Sequence, residues 1–118
     1  MKTPCACLLG LAATVAVAGE ADVVEVAVSA DAGGYHFQVT VRHADEGWEH
    51  YADRWEILAP DGSVLATRTL HHPHVNEQPF TRGLGPVAIP ADMGEVRVRA
   101  HDSVHGHGGS EQRVRLPR

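Results

Sequence analysis

The chain has 118 residues with 10 basic and 15 acidic side chains, which gives a formal net charge of −5. This acidic balance disfavours nucleic acid and anionic membrane surfaces, so we expect neither as a partner. The length fits a single domain with one hydrophobic core. Histidine is the unusual component, because nine histidines are present and all of them lie beyond residue 35.

The first segment, residues 1–18, is predicted to be a secretory signal peptide. Lys2 precedes an apolar run that is too short to cross a bilayer, and the small residues Ala16 and Ala18 have the spacing of a cleavage site. Cleavage after Ala18 is our first expectation and cleavage after Ala21 is the alternative. The protein would then be periplasmic or secreted.

Both cysteines, Cys5 and Cys7, lie inside the predicted signal peptide. The processed chain, residues 19–118, would therefore contain no thiol. Neither a disulfide nor a thiolate metal ligand is expected in it. We predict that these residues form one domain.

Alternating apolar and polar residues predict strands over 23–30, 35–43 and 95–101. Further strands are predicted over 54–58, 63–70, 80–89 and 112–117, with tight turns at "APDG" (59–62) and "PADMG" (90–94). No segment has the periodicity of an amphipathic helix. Short strands at this spacing predict an all-β fold, an antiparallel β-sandwich of immunoglobulin-like type.

Successive antiparallel strands place alternate loops at the same end of a sandwich. The loops over 44–53, 71–79 and 102–109 should therefore meet at one end. Eight of the nine histidines, all except His36, lie in or beside these loops. Because loops at one end of such a fold commonly carry binding residues, this convergence predicts a site.

Neutral imidazole is a common ligand of zinc, copper, iron and nickel. We therefore predict a transition-metal site and expect zinc, copper(II) or iron(II), since thiol is absent and Met93 is the one methionine beyond the signal peptide. His71 is a further candidate donor, and Glu49 and Glu77 could orient imidazoles. The predicted ligands are His43, His50, His72, His74, His101, His105, His107 and Asp102.

Two segments resemble the iron-binding domain of desulfoferrodoxin and superoxide reductase. "HADEGWEHYADRWEIL" (43–58) is similar to the stretch in which a histidine precedes Glu-His-Tyr and a strand bearing Trp, and "AHDSVHG" (100–106) is similar to the closing Cys-Asn-x-His-Gly. The resemblance implies an immunoglobulin-like sandwich with iron at one end, held by histidines that would include His43, His50 and His105. Asp102 stands where that family has its cysteine thiolate.

We expect an exported metal-binding protein in metal handling or a redox-related role, more a binding protein than an enzyme. A protein partner in the same compartment could deliver or accept the ion. One alternative is an enzyme similar to superoxide reductase with an altered axial ligand. Another is a structural or interaction module whose clustered imidazoles respond to pH.

Overall fold

The protein folds into seven strands, and the computed structural model describes residues 19–117. The predicted signal peptide, with Cys5 and Cys7, lies outside the described residues. No helix long and apolar enough to cross a membrane occurs in the described part of the chain. The strands are β1 (Asp22–Asp31), β2 (Gly34–Arg42), β3 (Ala52–Leu58), β4 (Val64–Thr69), β5 (Phe80–Val87), β6 (Glu95–Asp102) and β7 (Gln112–Arg115).

The seven strands form two antiparallel sheets. One sheet has the order β1-β2-β5 and the other has the order β4-β3-β6-β7. The predicted all-β antiparallel sandwich is thus confirmed, and each predicted strand lies within about two residues of an observed one, a normal uncertainty for strand ends. The immunoglobulin-like assignment stays a prediction.

The core lies between the two sheets and follows the alternation in the sequence. Every second residue of a strand faces inward, and Trp55 of β3 is completely buried. Burial of the apolar side chains between the sheets stabilises the sandwich by about 25 cal/mol for each Å² of apolar surface removed from water. The inward side chains of the three central strands are Phe37, Val39, Val41, Trp55, Ile57, Val96, Val98 and Ala100.

The two ends of the sandwich differ in composition. One end carries the two tight turns, which are closed by hydrogen bonds from Gly62 N–H to Ala59 O (2.8 Å) and from Met93 N–H to Pro90 O (3.0 Å). His36 lies toward this end, where its Nε2 is 2.5 Å from Asp31 Oδ2. The other end carries the three long loops and the start of β1, and the remaining eight histidines lie there.

Candidate metal centre

The three long loops meet as the sequence predicts. They connect β2 to β3, β4 to β5 and β6 to β7. The rings of His50 and His105, from the first and third loops, have centroids 4.9 Å apart, and Asp45 of the first loop accepts the backbone N–H of His74 from the second loop at 2.6 Å. The predicted convergence at one end of the sandwich is therefore confirmed.

Three side chains in this region form a group that could hold a metal ion. One ligand atom each from His43, His50 and Asp102 lies within 4.8 Å of the others. His43 Nε2 is 3.1 Å and His50 Nε2 is 3.5 Å from Asp102 Oδ2. We call these three residues the metal centre; within residues 19–117 no other group of three or more potential ligands meets the same distance limit.

Asp102 is fixed by the turn that follows β6. Its Oδ1 accepts the backbone N–H groups of Val104 (2.7 Å) and His105 (2.5 Å), and its backbone pairs with that of Gly106 in both directions. Gly106 has a φ of 76°, which glycine adopts without strain. Oδ1 is thereby occupied, and Oδ2 is left to face the imidazoles.

Asp102 is ionised over the whole physiological range. Burial alone would raise the pKa of this carboxyl, but the two N–H groups of His105 and Val104, with the His105 and His43 rings, lower the pKa to about 2. Hydrogen bonds to a carboxylate favour its charged form in this way. The centre therefore contains one permanent negative charge that is fully buried.

His43 is held in place by Asp45. Both side chains are completely buried, and His43 Nδ1 lies 2.5 Å from Asp45 Oδ1. Since a carboxylate can only accept, Nδ1 carries the hydrogen. Asp45 also accepts the N–H groups of Ala52 (3.1 Å) and His74 (2.6 Å), so it ties the first and second loops together.

His50 has an equivalent carboxylate partner. Its Nδ1 donates to Glu46 Oε1 at 2.8 Å, in a loop closed by the bond from Glu46 N–H to His50 O (2.8 Å). The Glu46 hydrogen bond raises the pKa of His50, although partial burial opposes it. A carboxylate on the distal nitrogen is the usual partner of a metal-binding imidazole.

The backbone carbonyl of Gly19 supplies a further oxygen atom next to the imidazoles of His43 and His50. Gly19 O is 3.1 Å from His43 Nε2 and 3.2 Å from His50 Nε2. Each of these imidazoles thus has an oxygen acceptor at both nitrogens, although a neutral imidazole has one N–H. Without a further positive charge, two nitrogen lone pairs would face the oxygens of Gly19 and Asp102.

Two chemical states remove this repulsion. Either His43 and His50 each carry a second proton, or a cation lies against their Nε2 atoms and the Asp102 carboxylate. Buried charges require such pairing because their transfer from water is unfavourable. Two nitrogens and one carboxylate oxygen are suitable donors for zinc, copper(II) or iron(II).

His105 lies on the solvent side of the centre. Its Nδ1 is 3.1 Å from Asp102 Oδ2, and 40% of its side chain is exposed. It is outside the group of three that meets the distance limit. His105 is therefore positioned as an accessory metal ligand on the side of the centre that faces solvent.

His72 and His74 form a second group outside the three residues of the metal centre, on the far side of Asp45, whose Oδ2 is 4.0 Å from His74 Nδ1. Their ring centroids are 4.7 Å apart, and His74 stacks on Phe80 at 4.0 Å. Among the described residues, neither ring nitrogen of His74 has a hydrogen-bond partner. Burial, followed by the charges of Arg82 and His72, lowers the pKa of His74.

His101 and His107 form a third group on the outer face of the β4-β3-β6-β7 sheet. Their rings are 4.7 Å apart, with His101 Nδ1 2.6 Å from Asp53 Oδ1 and His107 Nε2 3.2 Å from Glu56 Oε1. His101 precedes Asp102 in β6, and adjacent strand residues face opposite sides of a sheet. The structure thus does not bring His72, His74, His101 or His107 to the metal centre.

The carboxylates around the centre differ from those that the sequence indicated. Glu49 is exposed, and Glu77 pairs with Arg82 at 3.0 Å. Asp45 and Glu46 orient the imidazoles instead. Asp45 could have been identified, because it lies two residues after His43 and extended chain repeats its direction every second residue.

A protein of Halomicrobium mukohataei described as "Putative lipoprotein" is 40% identical over 91 residues, which is 76% of this chain. The matched region covers 44% of that relative, so the chain spans less than half of its length. No family model matches the chain, and no solved structure matches it.

Proposed function

We propose that this protein is an exported protein that binds one transition metal ion through His43 Nε2, His50 Nε2 and Asp102 Oδ2. The observation that carries the proposal is the arrangement of acceptors around the two imidazoles. Their distal nitrogens donate to Asp45 and Glu46, and their Nε2 lone pairs converge on a buried carboxylate that is already ionised. A divalent cation satisfies all of these atoms at once.

The donor set favours zinc, copper(II) or iron(II). Imidazole and carboxylate ligands are intermediate to hard, whereas copper(I) prefers the sulfur ligands that the described residues lack near this end. Three protein donors leave further coordination positions on the side of His105, where the centre reaches solvent. Such an open side suits an ion that is exchanged with a partner or that contacts a small molecule.

Export is part of the proposal. It is supported by the signal-peptide features of residues 1–18 and by the description of the Halomicrobium relative as a lipoprotein. A periplasmic or extracellular location agrees with a metal site built without cysteine. Transfer of the ion to or from another exported protein would then be its role.

A superoxide-reductase-like enzyme is the second candidate. The residues that resemble that family's ligands, His43, His50 and His105, lie around Asp102 in one place. With a carboxylate in place of the thiolate, the electron donation that sulfur supplies to iron would be absent. Mixing the iron(II)-loaded protein with superoxide tests this candidate, and oxidation of the iron by superoxide at a rate independent of Asp102 would count against it.

Zinc titration tests the proposed function directly. Chelator-treated protein should bind one equivalent of Zn²⁺, and His50→Ala should lower the affinity at least 10–100-fold, the range seen when even an orienting partner is lost. His36→Ala is the matched control, since His36 also pairs with a carboxylate but lies toward the opposite end. Equal losses in both variants would indicate diffuse surface chelation, and no binding by the wild type would favour a metal-free, pH-responsive module.

A further inference from the structure

Gly19 lies inside the metal centre. Its carbonyl oxygen is shared by His43 Nε2 (3.1 Å) and His50 Nε2 (3.2 Å). A Cβ atom at this residue would be 3.1 Å from Cε1 of His105. The carbonyl oxygen of Gly19 therefore contacts the imidazoles of His43 and His50, and its Cα lies near the ring of His105.

We infer that cleavage between Ala18 and Gly19 creates a metal ligand, because the new α-amino nitrogen and the carbonyl oxygen of Gly19 can chelate the ion bound by His43, His50 and Asp102. This inference rests on the proposed function. It assigns to the processed amino terminus a role that an uncleaved chain could not perform. The lone pair of a peptide nitrogen is delocalised into the carbonyl group, so this nitrogen binds a metal only after it loses its proton, whereas an amine near its pKa gives up its proton readily.

The geometry of Gly19 permits the chelate. The α-nitrogen is attached directly to Cα at about 1.46 Å. A Cβ on this Cα would lie 3.1 Å from Cε1 of His105, so the Cα itself lies within about 4.6 Å of that ring atom. An ion bound to both N and O closes a five-membered ring through Cα and the carbonyl carbon. The carbonyl oxygen already lies 3.1 Å and 3.2 Å from the two Nε2 atoms that would share the ion.

The residues after Gly19 fix this position in the fold. Ala21 is 1% exposed and belongs to the core. Asp22 Oδ1 accepts the N–H of Ser110 at 2.7 Å, and Val23 N–H donates to Ser110 O at 2.9 Å. Only Glu20 separates Gly19 from this anchored stretch, so the terminus stays at the third loop.

The same contacts distinguish cleavage after Ala18 from cleavage after Ala21. Cleavage after Ala21 would remove a buried core residue together with the Gly19 carbonyl. Cleavage after Ala18 keeps both. Only cleavage after Ala18 leaves an amine beside the three imidazoles.

The reaction that creates the ligand is an ordinary hydrolysis. A signal peptidase would add water across the Ala18–Gly19 peptide bond, so that Ala18 leaves with the carboxylate and Gly19 keeps the amine. At neutral pH this amine is largely protonated, and it releases its proton to solvent when it binds the ion. No oxidant or reductant is consumed.

Two forms of the protein test the inference. One begins at Gly19, and the matched control begins at Ala18 and so has its amine one residue farther from the centre. Both contain all seven strands, which lie between Asp22 and Arg115. Each form is titrated with Cu²⁺, alone and with the His50→Ala substitution, and near-equal free energies of urea unfolding show that both are folded.

The form that begins at Gly19 should bind Cu²⁺ at least about tenfold more tightly than the form that begins at Ala18. Labelling with ¹⁵N-glycine should change the nitrogen splitting in the Cu²⁺ electron paramagnetic resonance spectrum only of the form that begins at Gly19. Equal affinity with unchanged splitting would overturn the inference, while binding that still requires His50 would leave the proposed function in place. Absence of specific binding by both forms would overturn both.

Discussion

Asp45 and His43 form a completely buried pair in which Asp45 Oδ1 lies 2.5 Å from His43 Nδ1. The pair fixes which nitrogen of His43 carries the hydrogen and directs Nε2 to Asp102. Asp45 is not itself among the three potential ligands. It is therefore a positioning residue for the metal centre.

Asp45→Asn should weaken Zn²⁺ binding about 10–100-fold, because loss of the carboxylate lowers the basicity of His43 and weakens its orientation. Asp31→Asn is the control, since Asp31 pairs with His36 in the same manner away from the centre. Isothermal titration calorimetry gives both affinities. An unchanged affinity in Asp45→Asn would show that the pair serves folding alone.

The third loop contains two histidines, His105 and His107, whose replacement should affect Zn²⁺ affinity differently. His105→Ala should lower Zn²⁺ affinity by about tenfold, since it removes the imidazole nearest the open side of Asp102. His107→Ala should leave the affinity unchanged, because His107 contacts Glu56 on the outer face of the sheet. The reverse order of effects would mean that the ion lies at the outer face.

Asp102 makes the stability of the metal-free protein depend on acid pH. Its pKa in the folded state is about 2, below the ordinary value of about 3.9 for an unfolded chain. The stabilisation is therefore complete above about pH 4 and is lost as the pH falls toward 2, with a magnitude on the order of 2 kcal/mol.

Urea unfolding with a chelator present measures this effect. Asp102→Asn keeps an oxygen for the N–H groups of Val104 and His105 but removes the charge, so its destabilisation should be large at pH 7 and small at pH 2.5. A destabilisation that is equal at both pH values would contradict the assigned pKa.

His74 should be replaceable without loss of metal binding. Its ring is buried against Phe80 with no hydrogen-bond partner among the described residues, and its bond to Asp45 uses the backbone N–H. His74→Phe removes an unsatisfied polar group, so we expect a gain in the free energy of unfolding of about 1 kcal/mol at pH 7.

The gain should increase at pH 5. Burial lowers the pKa of His74, so the folded state binds fewer protons than the unfolded state and loses stability as the pH falls below 6.5. Zinc affinity, measured on the same variant as the free energy of unfolding, shows whether His74 affects the metal centre as well as stability. A large loss of affinity in His74→Phe would show that the second loop takes part in binding.

The sequence predicts the framework of the site more completely than the site itself. Alternation along β2 and β6 predicts the inward residues, and the order of antiparallel strands predicts that the three loops meet. The same alternation separates His101 from Asp102, because inward Val96, Val98 and Ala100 place Asp102 on their side and His101 on the other. The alternation along β6 thus distinguishes His101 from Asp102 in the sequence itself.

Other features depend on contacts that have no local pattern. His74 stacks on Phe80 because of the path of an irregular loop, which periodicity does not describe. The Gly19 carbonyl reaches His43 and His50 across 24 and 31 residues of chain. Neither contact has a signature in the residues that surround it.

Anomalous diffraction from crystals of the zinc-loaded protein is the most direct test of the metal centre. We predict one strong peak in contact with His43 Nε2, His50 Nε2 and Asp102 Oδ2, which disappears in His50→Ala crystals prepared in the same way. A peak at His72 and His74 or at His101 and His107, with none beside Asp102, would contradict the assignment.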